Sequence, residues 1–360
     1  MSAVTGKTIV HLPNWLGDMV MAAPFLQSLK GMTDGELWGL GKSSAMQLLN
    51  GLHIFDRYVP MESKDPIPFL DLARDLKGVR FHRGFLLPHS FRSALLFFLA
   101  GVEERIGYAR NHRGFMHTRA VSEVSGIEPT VEHYLRIIDT LGGRRLSESP
   151  ALTVTVEEEG RFFQDFPHLS QPFAALIPGA QYGPSKRWPE SHFARLADLL
   201  AERHGIPVLI LPGKGEEALA KTIGAQTKEG YPVEVLSMGV QDLKVCLSRA
   251  SVVVTNDTGP RHISAALRVP TVVLMGPMDD RYTGYPSPFV HILSKDVPCR
   301  PCNRKVCSGN HECLAAITPE EVAEVVTTIL TEDRAVTAAT AIQGPDGGHK
   351  GASVGGGKRA

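Results

Sequence analysis

Short aliphatic runs alternate with longer amphipathic stretches along most of the chain, most regularly over residues 173–330. There, residues 173–177, 207–211, 233–236, 251–255 and 271–275 read as buried strands. Between them, residues 190–204, 216–226, 241–249 and 259–267 have the length and apolar spacing of helices. Strands separated by helices of this size predict parallel βαβ units. Thr318-Pro319-Glu320-Glu321 offers a hydroxyl cap, a proline at the first helical position and acids in the first turn, so a last helix is predicted to about Leu330.

The first half repeats the theme less evenly. Residues 8–12 predict a strand, 13–18 a loop and 19–30 a helix, and 135–141 reads as a helix stopped by Gly142-Gly143. The acidic run 157–159 and the proline-punctuated stretch 166–172 set a boundary, giving domains over 1–166 and 167–332. After Asp333 the chain has no Leu and no aromatic residue, and the Ala/Gly-rich composition of 333–360 predicts a disordered tail.

A chain of 360 residues fits two domains of ordinary size. Its 38 basic and 38 acidic residues cancel, which argues against a nucleic-acid-binding protein. No apolar run reaches the length of a membrane span, and the opening residues lack a charged segment followed by an apolar one. These features predict a cytoplasmic protein and leave contact with the inner face of a membrane open.

Ligands of open α/β sheets bind beyond the carboxyl ends of the strands. Three loops there carry unusual polar content. In Asn256-Asp257-Thr258-Gly259-Pro260-Arg261-His262, a buried strand enters a glycine turn and then a helix. The free N–H groups of that helix start suit a diphosphate, Thr258 adds a hydroxyl, and His262 reaches the same anion. Asp257 would repel phosphate, so it is expected to orient loop amides or a sugar hydroxyl. The same residues also suit a simply capped helix. In the loop from Pro178 to Pro189, Lys186 and Arg187 precede a helix whose dipole they oppose, which suggests an anionic ligand. Solvated surface cations are the plain alternative. In Pro13-Asn14-Trp15-Leu16-Gly17-Asp18-Met19, Asp18 opens a helix at the mouth of a cleft and is a candidate general base; a carboxylate favouring the helix dipole is the plain alternative. Gly17 permits a close backbone approach. Glu216, after a fourth glycine-rich loop, could accept hydrogen bonds from a sugar or merely begin a helix.

Four of the five cysteines, Cys299, Cys302, Cys307 and Cys313, lie within fifteen residues. In a reducing compartment the cluster reads as a structural zinc or iron site, with His311 as an alternative ligand. Segment 71–120 holds nine basic against four acidic residues, among them Arg83, Arg105, Arg110 and Arg113. Such a surface attracts an anionic acceptor, and it equally describes a solvated basic face.

Together, the Pro13–Met19 motif, Arg105-Ile106-Gly107-Tyr108, Pro178-Gly179-Ala180 with Ser185-Lys186-Arg187-Trp188-Pro189, Asn256-Asp257-Thr258-Gly259 with His262, and the cysteine segment resemble the ADP-heptose:lipopolysaccharide heptosyltransferases, the inverting glycosyltransferases of family nine. The heptosyltransferase II subgroup is the most similar. The resemblance implies a GT-B architecture, two Rossmann-like domains facing across a cleft. It implies a C-terminal half that holds ADP-heptose and an N-terminal half that presents a lipid A-linked lipopolysaccharide core, with no catalytic metal and no nucleic-acid partner. By motif position, Asp18 matches the base, Lys186 the diphosphate-binding lysine, and Gly17, Asp257, Thr258, Gly259, His262 and, less closely, Glu216 the donor contacts. Gln181 and Tyr182 stand where some relatives carry a small hydroxyl residue. A GT-B nucleotide-sugar epimerase and a non-catalytic nucleotide-binding module are the rival readings. A dinucleotide oxidoreductase lacks support, because no G-x-G-x-x-G turn follows the first strand.

Overall fold

The computed structural model describes residues 6–63 and 65–342, with side chains as far as Glu332. The first half comprises β1 (Thr8–His11), α1 (Leu16–Gly31), β2 (Leu37–Gly41), α2 (Ser43–Leu49), β3 (Arg57–Pro60), α3 (Pro66–Val79), β4 (Arg83–Leu86), α4 (Phe91–Leu99), β5 (Glu104–Tyr108), β6 (Arg119–Val121) and α5 (Thr130–Thr140). α6 (Val156–Asp165) follows. The second half comprises β7 (Ala174–Ile177), α7 (Glu190–His204), β8 (Val208–Ile210), α8 (Glu217–Gly224), β9 (Val233–Val235), α9 (Val240–Arg249), β10 (Val252–Asn256), α10 (Gly259–Ala266), β11 (Thr271–Met275), β12 (Val290–Ser294), α11 (Glu312–Ala315) and α12 (Pro319–Ile342).

The strands form two six-stranded sheets, ordered β3-β2-β1-β4-β5-β6 and β12-β11-β10-β7-β8-β9, parallel throughout. Each is a doubly wound sheet with the same internal order, and the two halves match the expected pair of Rossmann-like units. The strand order reverses between β1 and β4 in one sheet and between β7 and β10 in the other, which is where such folds open a ligand crevice. The motif loops after β1, β7 and β10 all leave strands that border these crevices.

The halves are packed together. α1 lies against α10 and α2 against α9. One apolar cluster takes Val10, Leu12 and Phe25 from the first half and Ile177, Val253 and Ile263 from the second. The charge in this seam is paired. Lys244 of α9, fully buried, sits 2.7 Å from Glu158 of α6 and donates to the carbonyls of Asn50 and Thr153 at 3.1 Å. Burial alone would raise the Glu158 carboxyl, but Lys244 and the Thr155 amide hold it below its ordinary value. Lys244→Met should therefore lower unfolding stability by roughly 3–5 kcal/mol, because it strands a buried carboxylate. Urea titration should also find most of that loss recovered in Lys244→Met/Glu158→Leu.

α12 continues twelve residues past the Leu330 end expected from the sequence. Alanines at 335, 338, 339 and 341 explain this, since alanine is the strongest helix former. Residues 333–342 are thus helical in backbone, while the tail expected over 343–360 lies outside the described residues.

Candidate active site

The first turns of α1 and α10 meet. A Cβ at Gly17 would stand 3.0 Å from His262 Cδ2, and one at Gly259 would stand 3.1 Å from Leu16 Cβ and 3.2 Å from the Gly17 amide nitrogen. Glycine at both places lets the two backbones approach. Neither helix has a side-chain cap; the first N–H groups of α1 remain available to an anion, whereas α10 offers the Gly259 N–H, because Pro260 has none and the Arg261 amide donates to the Thr258 carbonyl at 3.2 Å.

This contact places Asp18, in the first turn of α1, within electrostatic reach of Lys186 from the opposite half. Burial pushes the Asp18 carboxyl up to about 6 against the pull of the Lys186 ammonium. A carboxylate with that affinity for protons is a stronger base than an exposed Asp and is still ionised at neutral pH. The phenol of Tyr134 on α5 lies close enough to feel the Asp18 charge, though burial is the main reason its pKa is raised.

Lys186 ends the short 3-10 turn Pro184–Lys186 and is 9% exposed. Its ammonium donates to Asp257 Oδ2 at 2.6 Å and to the Asp257 carbonyl at 3.0 Å. Asp257 Oδ1 faces Arg261 Nη1 at 3.1 Å. Burial opposes ionisation of Asp257, but Arg261 and Lys186 overcome it and keep the carboxyl below its ordinary range. Both Asp257 oxygens thus face cations, as near-complete burial demands.

His262 is held without charge. Burial, and then the Arg261 charge, push its pKa well below 6.5, so the ring is neutral. Arg261 Nε donates to His262 Nε2 at 3.1 Å, which assigns the ring proton to Nδ1, 3.4 Å from the Tyr285 hydroxyl. The ring packs on Gly17 and brings no positive charge to an anion. Glu216, 7% exposed, accepts from the Ala180 amide at 2.7 Å and from Arg187 Nη2 at 3.1 Å. A Cβ at Gly179 would stand 1.7 Å from Glu216 Oε2, so this carboxylate shapes the loop after β7. Thr258 is the N-cap of α10 and Gly259 its first residue.

Two contributors escape a reading of the sequence. Asn256, fully buried, accepts from the Trp188 amide at 3.1 Å and donates to the Pro178 carbonyl at 2.8 Å, joining the loops after β7 and β10. Arg261 anchors Asp257, and the i,i+4 spacing of these two opposite charges was the available signal. Trp188 packs in the second half, its indole N–H donating to the Ile317 carbonyl at 2.9 Å.

Residues 69–312 match the family described as glycosyltransferase family 9 (heptosyltransferase). The chain belongs to glycosyltransferase family 9. Lipopolysaccharide heptosyltransferase 2 of Salmonella typhimurium is 27% identical over 345 residues, covering 91% of this chain and 99% of that protein. The solved structure of Escherichia coli ADP-heptose lps heptosyltransferase II superposes with a TM-score of 0.79 at 25% identity, covering 91% of this chain and all of that one. Escherichia coli heptosyltransferase WaaC, solved with ADP-2-deoxy-2-fluoro heptose, shares the fold at a TM-score of 0.69 and 19% identity, covering 90% of this chain and 99% of that one.

In this family 9 glycosyltransferase, all four arginines expected to meet an acceptor have partners within the chain. Arg83 opens β4 and Arg105 is the second residue of β5, at the strand ends away from the loops. Arg83 pairs with Glu104, while Arg105 donates to the Val102 and Met116 carbonyls and lies over Phe98. Arg113 is fully buried and donates to the carbonyls of Tyr108, Pro88 and Ser90. Burial draws its pKa down to about 10, so it stays charged at neutral pH while organising these loops. Arg110, just beyond β5 at the loop end, is exposed and paired with Glu123 at 2.8 Å.

Among the described residues, no three His, Cys, Asp or Glu side chains form a group that could hold a metal ion. The expected zinc or iron at Cys299, Cys302, Cys307 and Cys313 therefore gains no support. Cys299 is exposed, whereas Cys313 is buried on α11 in the core of the second half. No described helix is long and apolar enough to cross a membrane.

Proposed function

We propose that this enzyme transfers a heptose from ADP-heptose to the inner core of lipopolysaccharide with inversion at the anomeric carbon. The observation that carries the reading is the contact of the first turns of α1 and α10 across the join of the two halves, which buries Asp18 within electrostatic reach of Lys186. The names of its relatives and the nucleotide sugar in the WaaC structure support the choice of substrates. Residues 1–166 present the acceptor and residues 167–332 hold the donor, on the cytoplasmic face of the inner membrane.

The acceptor hydroxyl loses its proton to the Asp18 carboxylate as its oxygen bonds to the anomeric carbon. The opposite bond, from that carbon to the diphosphate, breaks, and its electron pair leaves with ADP. Lys186 and the Gly259 N–H at the start of α10 stabilise the charge gathering there. Asp257 retains Arg261 when Lys186 turns to the diphosphate. These groups supply the positive charge that departure requires, so the mechanism uses no catalytic metal.

Incubation with ADP-heptose and a truncated core lipid should yield one added heptose and free ADP by mass spectrometry. Isomerised donor without acceptor would instead identify an epimerase. ADP binding with no transfer to any core would identify a non-catalytic module.

A further inference from the structure

The cysteine-bearing segment, which has no part in the mechanism above, runs beneath the loop that carries Lys186. The Tyr182 hydroxyl donates to the Asn303 carbonyl at 2.8 Å. The buried Ser185 hydroxyl donates to the Arg304 carbonyl, and the Ser185 amide to the Lys305 carbonyl at 3.2 Å. A Cβ at Gly183 would stand 2.3 Å from the Lys305 oxygen, so the two backbones are in direct contact. The segment is itself fixed to the end of β11. The amides of Cys302 and Asn303 both donate to the Pro277 carbonyl at 3.0 Å, and Arg300 Nε donates to the Gly276 carbonyl at 2.9 Å.

Above this contact, the Lys186 ammonium stands 5.1 Å from the centre of the Tyr182 ring, and the Lys305 ammonium 5.7 Å from the same centre. A lysine head on a flexible four-carbon stem needs such a platform to keep one position. We propose that segment 302–305 is a brace for the donor site: through Tyr182 and Ser185, which act as positioning residues, it aims Lys186 at the diphosphate. The proposal rests on the reading of Lys186 as a donor-diphosphate ligand.

The test compares ADP affinity by calorimetry with KM and kcat in Ser185→Ala, Ser185→Thr and Tyr182→Phe. Loss of one hydrogen bond to the brace should raise the ADP Kd and the donor KM by roughly 3–10-fold and lower kcat by a similar factor, since Lys186 also meets the charge that develops on the diphosphate. Ser185→Thr, which keeps the hydroxyl, should stay near the parent. Tyr182→Phe keeps the ring and lies on a partly exposed residue, so it guards against a folding failure in Ser185→Ala. Unchanged Kd and KM in both Ser185→Ala and Tyr182→Phe would overturn the brace, as would equal losses in Ser185→Thr and Ser185→Ala. Failure of the parent protein to bind ADP would remove the donor reading and the brace with it.

Discussion

Asp18→Asn is expected to reduce sugar transfer by ~10²–10⁴-fold while ADP still binds, since one general base is lost and the donor groups of the second half are untouched. The pH profile supplies an independent check. With its carboxyl raised to about 6, Asp18 must shed a proton before it can accept one, so kcat should climb through about pH 6 to a plateau. Stability should move the other way. The folded chain holds this proton more tightly than the unfolded chain, whose value is near 3.8, so stability falls as pH rises from about 4 to about 6 and stays reduced above it. At about 1.4 kcal/mol per unit, the ionised carboxylate costs the fold roughly 3 kcal/mol at neutral pH. Asn mimics the protonated acid. Asp18→Asn should therefore melt above the parent at pH 8 and beside it at pH 4. A variant that loses activity but gains stability only at high pH would mark Asp18 as a group held charged for the reaction.

Lys186→Met should lower kcat/KM by ~10²–10³-fold, because the developing charge on the diphosphate loses its nearest side-chain cation. It also opens the buried pair with Asp257. Loss of one partner from such a pair costs up to several kcal/mol, here held near about 2 kcal/mol because Arg261 still faces the carboxylate. Because Arg261 still pairs with Asp257, the urea-measured loss should stay small while transfer collapses; adding Asp257→Asn should cost further stability by leaving the buried Arg261 guanidinium unpaired. Stability lost with transfer nearly intact would mean that Lys186 serves the fold rather than the leaving group.

The second half of the fold is plain in the sequence because its parallel strands are covered on both faces and so appear as unbroken apolar runs. β7, β10 and β11 are buried along their whole length. The first half is harder to read for a physical reason. β3 and β6 are edge strands, four and three residues long, that keep exposed arginines and offer no clear run. The site loops could be located from glycine and proline at strand ends, but their pairings could not. Lys186 and Asp257 are 71 residues apart, and only the crossover from β7 to β10 joins them. Arg113 marks the same limit from another side: nothing local separates a guanidinium meant for solvent from a buried one used to tie three loop carbonyls. For α12, the Ala-rich composition that argued against a core is also what extends a helix.

Gly17 and Gly259 have a consequence for attempts to improve this enzyme. Replacing glycine by alanine within helices is a standard route to greater heat resistance, worth up to about 1 kcal/mol per site where the backbone allows it. Both residues lie in helices, and neither has a left-handed backbone, so dihedral angles alone would nominate them. Yet the added methyl of either would press on the other helix, and at Gly259 part of what it meets is backbone that cannot turn aside. At these two positions the usual engineering gain becomes a wedge between the halves, opening the gap that Asp18 and Lys186 must span.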